Sequence, residues 1–212
     1  MQQVIRKLKS VFRPRPARLT GERLYAGCVT QARLPVFYLD YGVADDIGAR
    51  FEMLTLHAGL VIHVLKAVAK DDPRFEEAQE TAQGLFDAFL LALDSTLREQ
   101  GVGDLSVPKK MKKLGIVIYT RLKRWDELWA DGDAAAQADY AARTVYAGSD
   151  YAGTDDPEGA AAAEASDDVS PETRRLAEAF TAYLSAARAA LTPAAIMAGQ
   201  LAWGAPQALE EA

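Results

Sequence analysis

Few residues in this chain have the type and spacing that chemistry needs. Its two histidines, His57 and His63, fall in one stretch of helical periodicity. Six residues of helix turn through about 600°, which sets the rings roughly 120° apart around the axis. They cannot grip one metal from one face, as a pair four residues apart can. A haem could still take one of them as an axial ligand, so a haem carrier using His57 is a possible reading. Asp87, Asp94 and Asp104 have no histidine, metal cluster or nucleophile beside them in the sequence, and capping or ion pairing accounts for them better than acid–base work. The single Cys28 rules out an internal disulfide, fits a reducing compartment and reads as a small buried helix residue. A Walker loop, a dinucleotide glycine fingerprint and the Glu-x-x-His pattern of di-iron bundles are missing. The residues therefore nominate no catalytic group, no metal site and no cofactor.

What the chain offers instead is patterned charge. Lys109, Lys112, Lys113, Arg121, Lys123 and Arg124 share one segment, and no acid lies between Asp104 and Asp126 to neutralise them. At about 100° per residue, Met111, Leu114, Ile118, Leu122, Trp125 and Trp129 form an apolar stripe on that segment. The stripe reads as core, and the basic side as a solvated face or a partner-binding one. The net charge of −6 hides a strong polarity. Residues 1–33 carry Arg6, Lys7, Lys9, Arg13, Arg15, Arg18, Arg23 and Arg33 against Glu22, whereas acids dominate after Asp131. A basic end of this kind faces an anionic partner, either lipid head groups or RNA phosphates.

The elements that must position these residues are helices. Residues 2–12 form a basic amphipathic segment with apolar positions 4, 5, 8, 11 and 12, ended by Arg13-Pro14-Arg15-Pro16. Membrane or anionic-partner approach falls to Arg6, Lys7, Lys9, Arg13, Arg15 and Arg18. The pattern predicts a helix over 21–33 capped by Thr20. An irregular aromatic connection over 34–43 follows, in which Val36 to Leu39 has a short strand as its alternative. A helix over 46–70, apolar nearly all round and so central, precedes another over 74–100. Gly101 closes that helix, Asp104 or Ser106 caps the next, and Pro108 opens it. Shorter helices are expected over 134–147, over 171–191, and from a Thr192 cap towards Gly204. The fold class is all-α: a single compact multi-helix domain over 20–147, preceded by the basic segment 1–19. An acidic Ala/Gly/Asp-rich linker, 148–170, and C-terminal helices, 171–212, complete it. The longest apolar run, Leu54 to Val68, is broken by His57, His63 and Lys66 and is shorter than the roughly 18–20 residues of a membrane span. No continuous apolar signal core is present, so no export is expected.

Three segments carry a family resemblance. They are Tyr41-Gly42-Val43-Ala44-Asp45 with Gly48 to Leu54 and Leu56-His57; Gln83-Gly84-Leu85-Phe86-Asp87; and Asp94 with Leu97 through Lys112. Together, over roughly residues 20–147, they resemble the ubiquinol–cytochrome c chaperone family, the Cbp3-like assembly factors. Ala44 stands where the family often has proline, Gln100 where methionine is usual, and Trp125 where tyrosine is common. The alanine-rich composition and short N-terminus suit a bacterial member. The resemblance implies a non-enzymatic factor for assembly of the cytochrome bc1 complex (respiratory complex III), with newly made cytochrome b as client and no cofactor. Further partners it implies are a small helical protein and the ribosome or an anionic membrane surface, and not DNA. Location would be cytoplasmic and peripheral to the inner membrane, or the matrix in a eukaryote. On this reading Lys109, Lys112, Lys113, Arg121, Lys123 and Arg124 meet the partner. Phe37, Tyr38, Tyr41, Phe86 and Tyr119 are candidates for an apolar client groove. A peripheral RNA- or ribosome-binding module without client contact is the alternative.

Overall fold

The computed structural model describes residues 16–147 and 169–206, so the expectations for the basic segment before Pro16 and for most of the acidic linker lie outside the described residues. Among the described residues every regular element is a helix: α1 (Pro16–Ala32), α2 (Pro35–Leu39), α3 (Ile47–Lys66), α4 (Phe75–Glu99), α5 (Val107–Asp131), α6 (Ala134–Thr144), α7 (Pro171–Ala190) and α8 (Pro193–Met197). The all-α expectation holds. None of these helices is long and apolar enough to cross a membrane.

The central helix is α3. Asp46 caps it by accepting from the Ala49 amide at 2.8 Å, and nearly every side chain from Glu52 to Leu65 is buried. Helices α1, α4, α5 and α8 pack around it, and α7 lies along α6. The crossing of α1 and α4 is unusually close. A Cβ on Gly21 would stand 2.3 Å from the Gly84 backbone, so only hydrogen fits there.

Local chemistry sets the turn from α4 into α5. Gly101 takes φ +80°; its amide bonds to the Arg98 carbonyl at 3.0 Å, and the Val102 amide reaches back to the Leu97 carbonyl at 3.1 Å. This is a Schellman closure, with Val102 packed in the same small apolar cluster as Leu97, Val107 and Leu114. Neither expected cap forms on the other side. The Ser106 side chain makes no capping bond, and Asp104 turns to Arg98 instead. The chain is already turning from Gly103, whose carbonyl accepts from the Ser106 and Val107 amides at 2.8 and 3.2 Å. The expected caps are therefore replaced by backbone turns.

Other boundaries also move. Helix α1 begins at Pro16, because proline suits a first turn, and Thr20 is buried inside the helix rather than capping it. The connection expected to be irregular holds the short helix α2, not a strand. Helices α6 and α8 stop at Thr144 and Met197, earlier than their composition suggested. Ser170 and Thr192 cap α7 and α8, accepting from the Thr173 and Ala195 amides at 3.0 and 3.3 Å. Helix α7 is built into the main core through Phe180, Tyr183 and Leu184.

Candidate functional site

Helix α5 has an inner and an outer face, and the apolar stripe decides which is which. Leu114, Ile118, Trp125 and Trp129 are buried, and this fixes the opposite side towards solvent. At about 100° per residue, Lys109, Lys112, Ile116, Tyr119 and Lys123 fall within a sector roughly 80° wide on that outer side. Lys109, Lys112 and Lys123 are exposed, and Tyr119 is 68% exposed. None of these three lysines has an ion-pair partner among the described residues. Lys113 and Arg124 flank the stripe, and Arg124 donates to Glu127 at 3.1 Å. One element earlier, Leu105 is 98% exposed on the turn leading into α5.

Arg121 does not belong to this face. It lies about 180° from Lys112 around the axis, is 1% exposed, and donates to Glu52 on α3 from Nε at 3.0 Å and from Nη2 at 2.9 Å. Its Nη1 donates to the Tyr140 hydroxyl at 3.1 Å. A guanidinium buried without such a partner would be very costly, so the fork-to-carboxylate geometry is what permits it inside. The expectation that Arg121 meets a partner is corrected: it ties α5 to α3 and α6.

The aromatic groove candidates are also dispersed. Phe37 and Tyr41 are buried in a ring cluster with Phe180 and Tyr183. Tyr38 is half-buried and donates its hydroxyl to the Ala32 carbonyl at 2.9 Å. Phe86 is half-buried against the core. Of the five, Tyr119 alone is exposed, so no groove is formed by the set. Exposed apolar groups that the sequence reading missed are Leu39, Ile47, Leu91 and Leu105. Leu105 had a signal: it lies in the Gly103–Ser106 link just ahead of the lysine-bearing helix.

The histidines take structural places. His57 is fully buried, with Nδ1 2.7 Å from the Met53 carbonyl and Nε2 3.1 Å from the Tyr183 hydroxyl. Gln31 donates to the same hydroxyl at 2.9 Å. One proton arrangement satisfies every member: Nδ1–H donates to Met53, the Tyr183 hydroxyl donates to Nε2 and accepts from Gln31. Burial pushes the His57 pKa down to about 4 and raises the Tyr183 phenol. Both imidazole nitrogens are engaged, and Phe37 and Trp203 pack on the ring. His57 as placed offers no nitrogen to a haem iron. His63 sits 2.8 Å from Asp126 through Nδ1, beside Trp129. Among the described residues no cluster of His, Cys, Asp and Glu could hold a metal ion. Cys28 is buried and its thiol is pushed well above the ordinary value, so it is an inert packing residue. Asp94 accepts from Arg98 at 2.7 Å and Asp87 from Gln83 at 2.7 Å.

An all-α body that presents charge and an aromatic on one helix face has the architecture of a scaffold that works through surfaces. The comparisons give that class a family. The family model for the ubiquinol-cytochrome C chaperone matches residues 39–203. That is most of the chain, and the chain belongs to this family. It is therefore a chaperone-type assembly factor, and membership implies a non-enzymatic role. The crystal structure of the Cbp3 homolog from Brucella abortus is similar, with a TM-score of 0.67 and 27% sequence identity over 97% of each chain. No curated protein matches the sequence. The family match reaches through α7 and α8, beyond the 20–147 region where the motifs lie.

Proposed function

We propose that this chain holds newly made cytochrome b during assembly of the cytochrome bc1 complex, working with a small helical partner at the membrane surface. The observation that carries this reading is the outer face of α5, where Lys109, Lys112, Lys123 and Tyr119 stand exposed together. Family membership supplies the client class, and the face supplies a means of contact. Ammonium groups on flexible stems meet anionic groups, while a phenol ring gives contact area with a polar end. Holding is a binding equilibrium, so it needs no covalent step. The basic residues Arg6, Lys7, Lys9, Arg13, Arg15 and Arg18 are assigned to approach of an anionic lipid surface, where each cation contributes about 1 kcal/mol.

The test is co-purification with tagged cytochrome b at physiological salt. Charge reversal of Lys112, Lys113 and Lys123 should reduce capture while the circular dichroism spectrum is unchanged. Undiminished capture removes α5 from the reading. The same lysines also favour a second reading, RNA or ribosome binding without client contact. That reading requires affinity for RNA that falls steeply with salt and no cytochrome b in the purified complex.

A further inference from the structure

Gly21, Gly27 and Gly59 lie inside helices and have visible reasons to be glycine, whereas Gly115 has none. A Cβ on Gly21 would strike the Gly84 backbone, one on Gly27 would meet Leu201 at 2.7 Å, and one on Gly59 would meet Leu122 at 2.6 Å. Each of these glycines lets two elements of the chain come together. Gly115 lies inside α5, and a Cβ there would have nothing within 4 Å. Glycine is a poor helix former because its unfolded backbone has the most freedom to lose. Nothing in the described chain requires it at this position. It also sits at the edge of the outer face of α5, about 40° beyond Tyr119 around the axis, one turn after Lys112 and one turn before Tyr119.

From this juxtaposition we infer that Gly115 is the crossing point for a single α-helix of a partner protein, one that is acidic on the face it presents. The inference rests on the reading of α5 as the contact face and specifies what docks there. Three features select the occupant. Lys109, Lys112 and Lys123 line the stripe, with no acid between Leu105 and Trp125, so the complementary surface is anionic. The stripe from Lys109 to Lys123 runs about 21 Å at 1.5 Å per residue, the length of a helix of roughly 14 residues. Helices approach each other most closely where a side chain is absent, and the missing Cβ at Gly115 makes room for a small residue of the incoming helix, with Ile116 and Tyr119 packing beside it. A lipid surface or an RNA would use the lysines and have no use for the glycine. That difference separates the occupants.

The experiment places a photo-crosslinking phenylalanine derivative at Ile116 in the full chain, expressed in cells that assemble a bc1 complex. The crosslinked segment is sequenced by mass spectrometry and then titrated as a synthetic peptide. The expected adduct is a protein segment of helical periodicity, with Asp or Glu on the face that carries a small residue. Gly115→Leu should weaken its binding at least tenfold, while Gly115→Ala should weaken it less and leave the protein folded by circular dichroism. An adduct with lipid or RNA, a segment without acids, or no adduct overturns the inference. So does a Gly115→Leu variant that binds as tightly as the parent. If that variant still captures tagged cytochrome b but Lys112, Lys113 and Lys123 reversal abolishes capture, the glycine seat fails and the α5 face stands. If the charge reversal has no effect, the face itself fails.

Discussion

Arg121 and Lys123 are two residues apart on α5, about 160° around its axis, and the fold uses them for opposite purposes. Arg121 points into the core and is held by Glu52 and Tyr140. Lys123 stands in water with no ion-pair partner among the described residues. The inner cation is tied to one geometry, because a buried charge must be matched hydrogen bond by hydrogen bond. The outer cation is free to meet something else. The difference shows that positive charge on this helix has two meanings, and that angular position decides between them.

The largest expected effect breaks the inner half of this comparison. Arg121→Ala leaves Glu52 buried and unpaired and should lower the unfolding free energy by about 3–5 kcal/mol in urea titration, whereas Lys123→Ala should leave the midpoint unchanged. Replacing the pair together, with Glu52→Leu and Arg121→Met, should recover most of the loss. If the double variant is as unstable as the single one, the cost lies in packing and not in the orphaned charge.

A second buried polar network sharpens the point through pH. Burial holds the folded pKa of His57 at about 4, below the ordinary histidine value of 6.5. Between those values the unfolded chain binds a proton that the folded chain refuses. The stability contribution is therefore complete above pH 6.5 and is lost as pH falls towards 4, amounting to about 3 kcal/mol. Unfolding titrations across this range should show the loss, and His57→Gln should flatten it. The same slope in that variant would assign the effect to other groups.

Two helical glycines extend the comparison from charge to packing. Gly21→Ala puts a Cβ into the backbone of α4 and should cost about 1–3 kcal/mol or more, read as a fall in Tm. Gly115→Ala meets only open space and should stabilise the isolated protein by about 0.5–1 kcal/mol. A fall in Tm for Gly115→Ala would show that the described chain itself needs the glycine. The smallest effect on stability belongs to the outer face. Lys112 and Lys123 reversed to glutamate should leave the Tm within error, while capture of tagged cytochrome b falls.

Much of this was legible from the residues. The apolar stripe of α5, the stop at Gly101 and the caps at Ser170 and Thr192 follow from contacts within a turn or two of chain. The burial of Arg121 left a trace as well. It lies in the middle of the Leu114, Ile118 and Trp125 stripe, and Glu52 is the one acid within the largely apolar helix α3. Neither residue alone says that the other answers it, since they are 69 positions apart. The exposed side of α5 was visible in its lysines, but the aromatic candidates were not separable by sequence. Phe37 and Tyr119 are both aromatics beside apolar neighbours, and only the packing of α7 buries one and leaves the other in water.

The sequence by itself determined the all-helical class, the stop at Gly101, the caps at Ser170 and Thr192 and the two faces of α5, because hydrogen bonds and caps three or four residues apart fix them. Tertiary structure decided that Arg121 is a core strut, that burial holds His57 neutral, and that a Cβ on Gly115 would meet nothing. Those outcomes depend on which side chains arrive from distant helices, and arrival is a property of the packed whole.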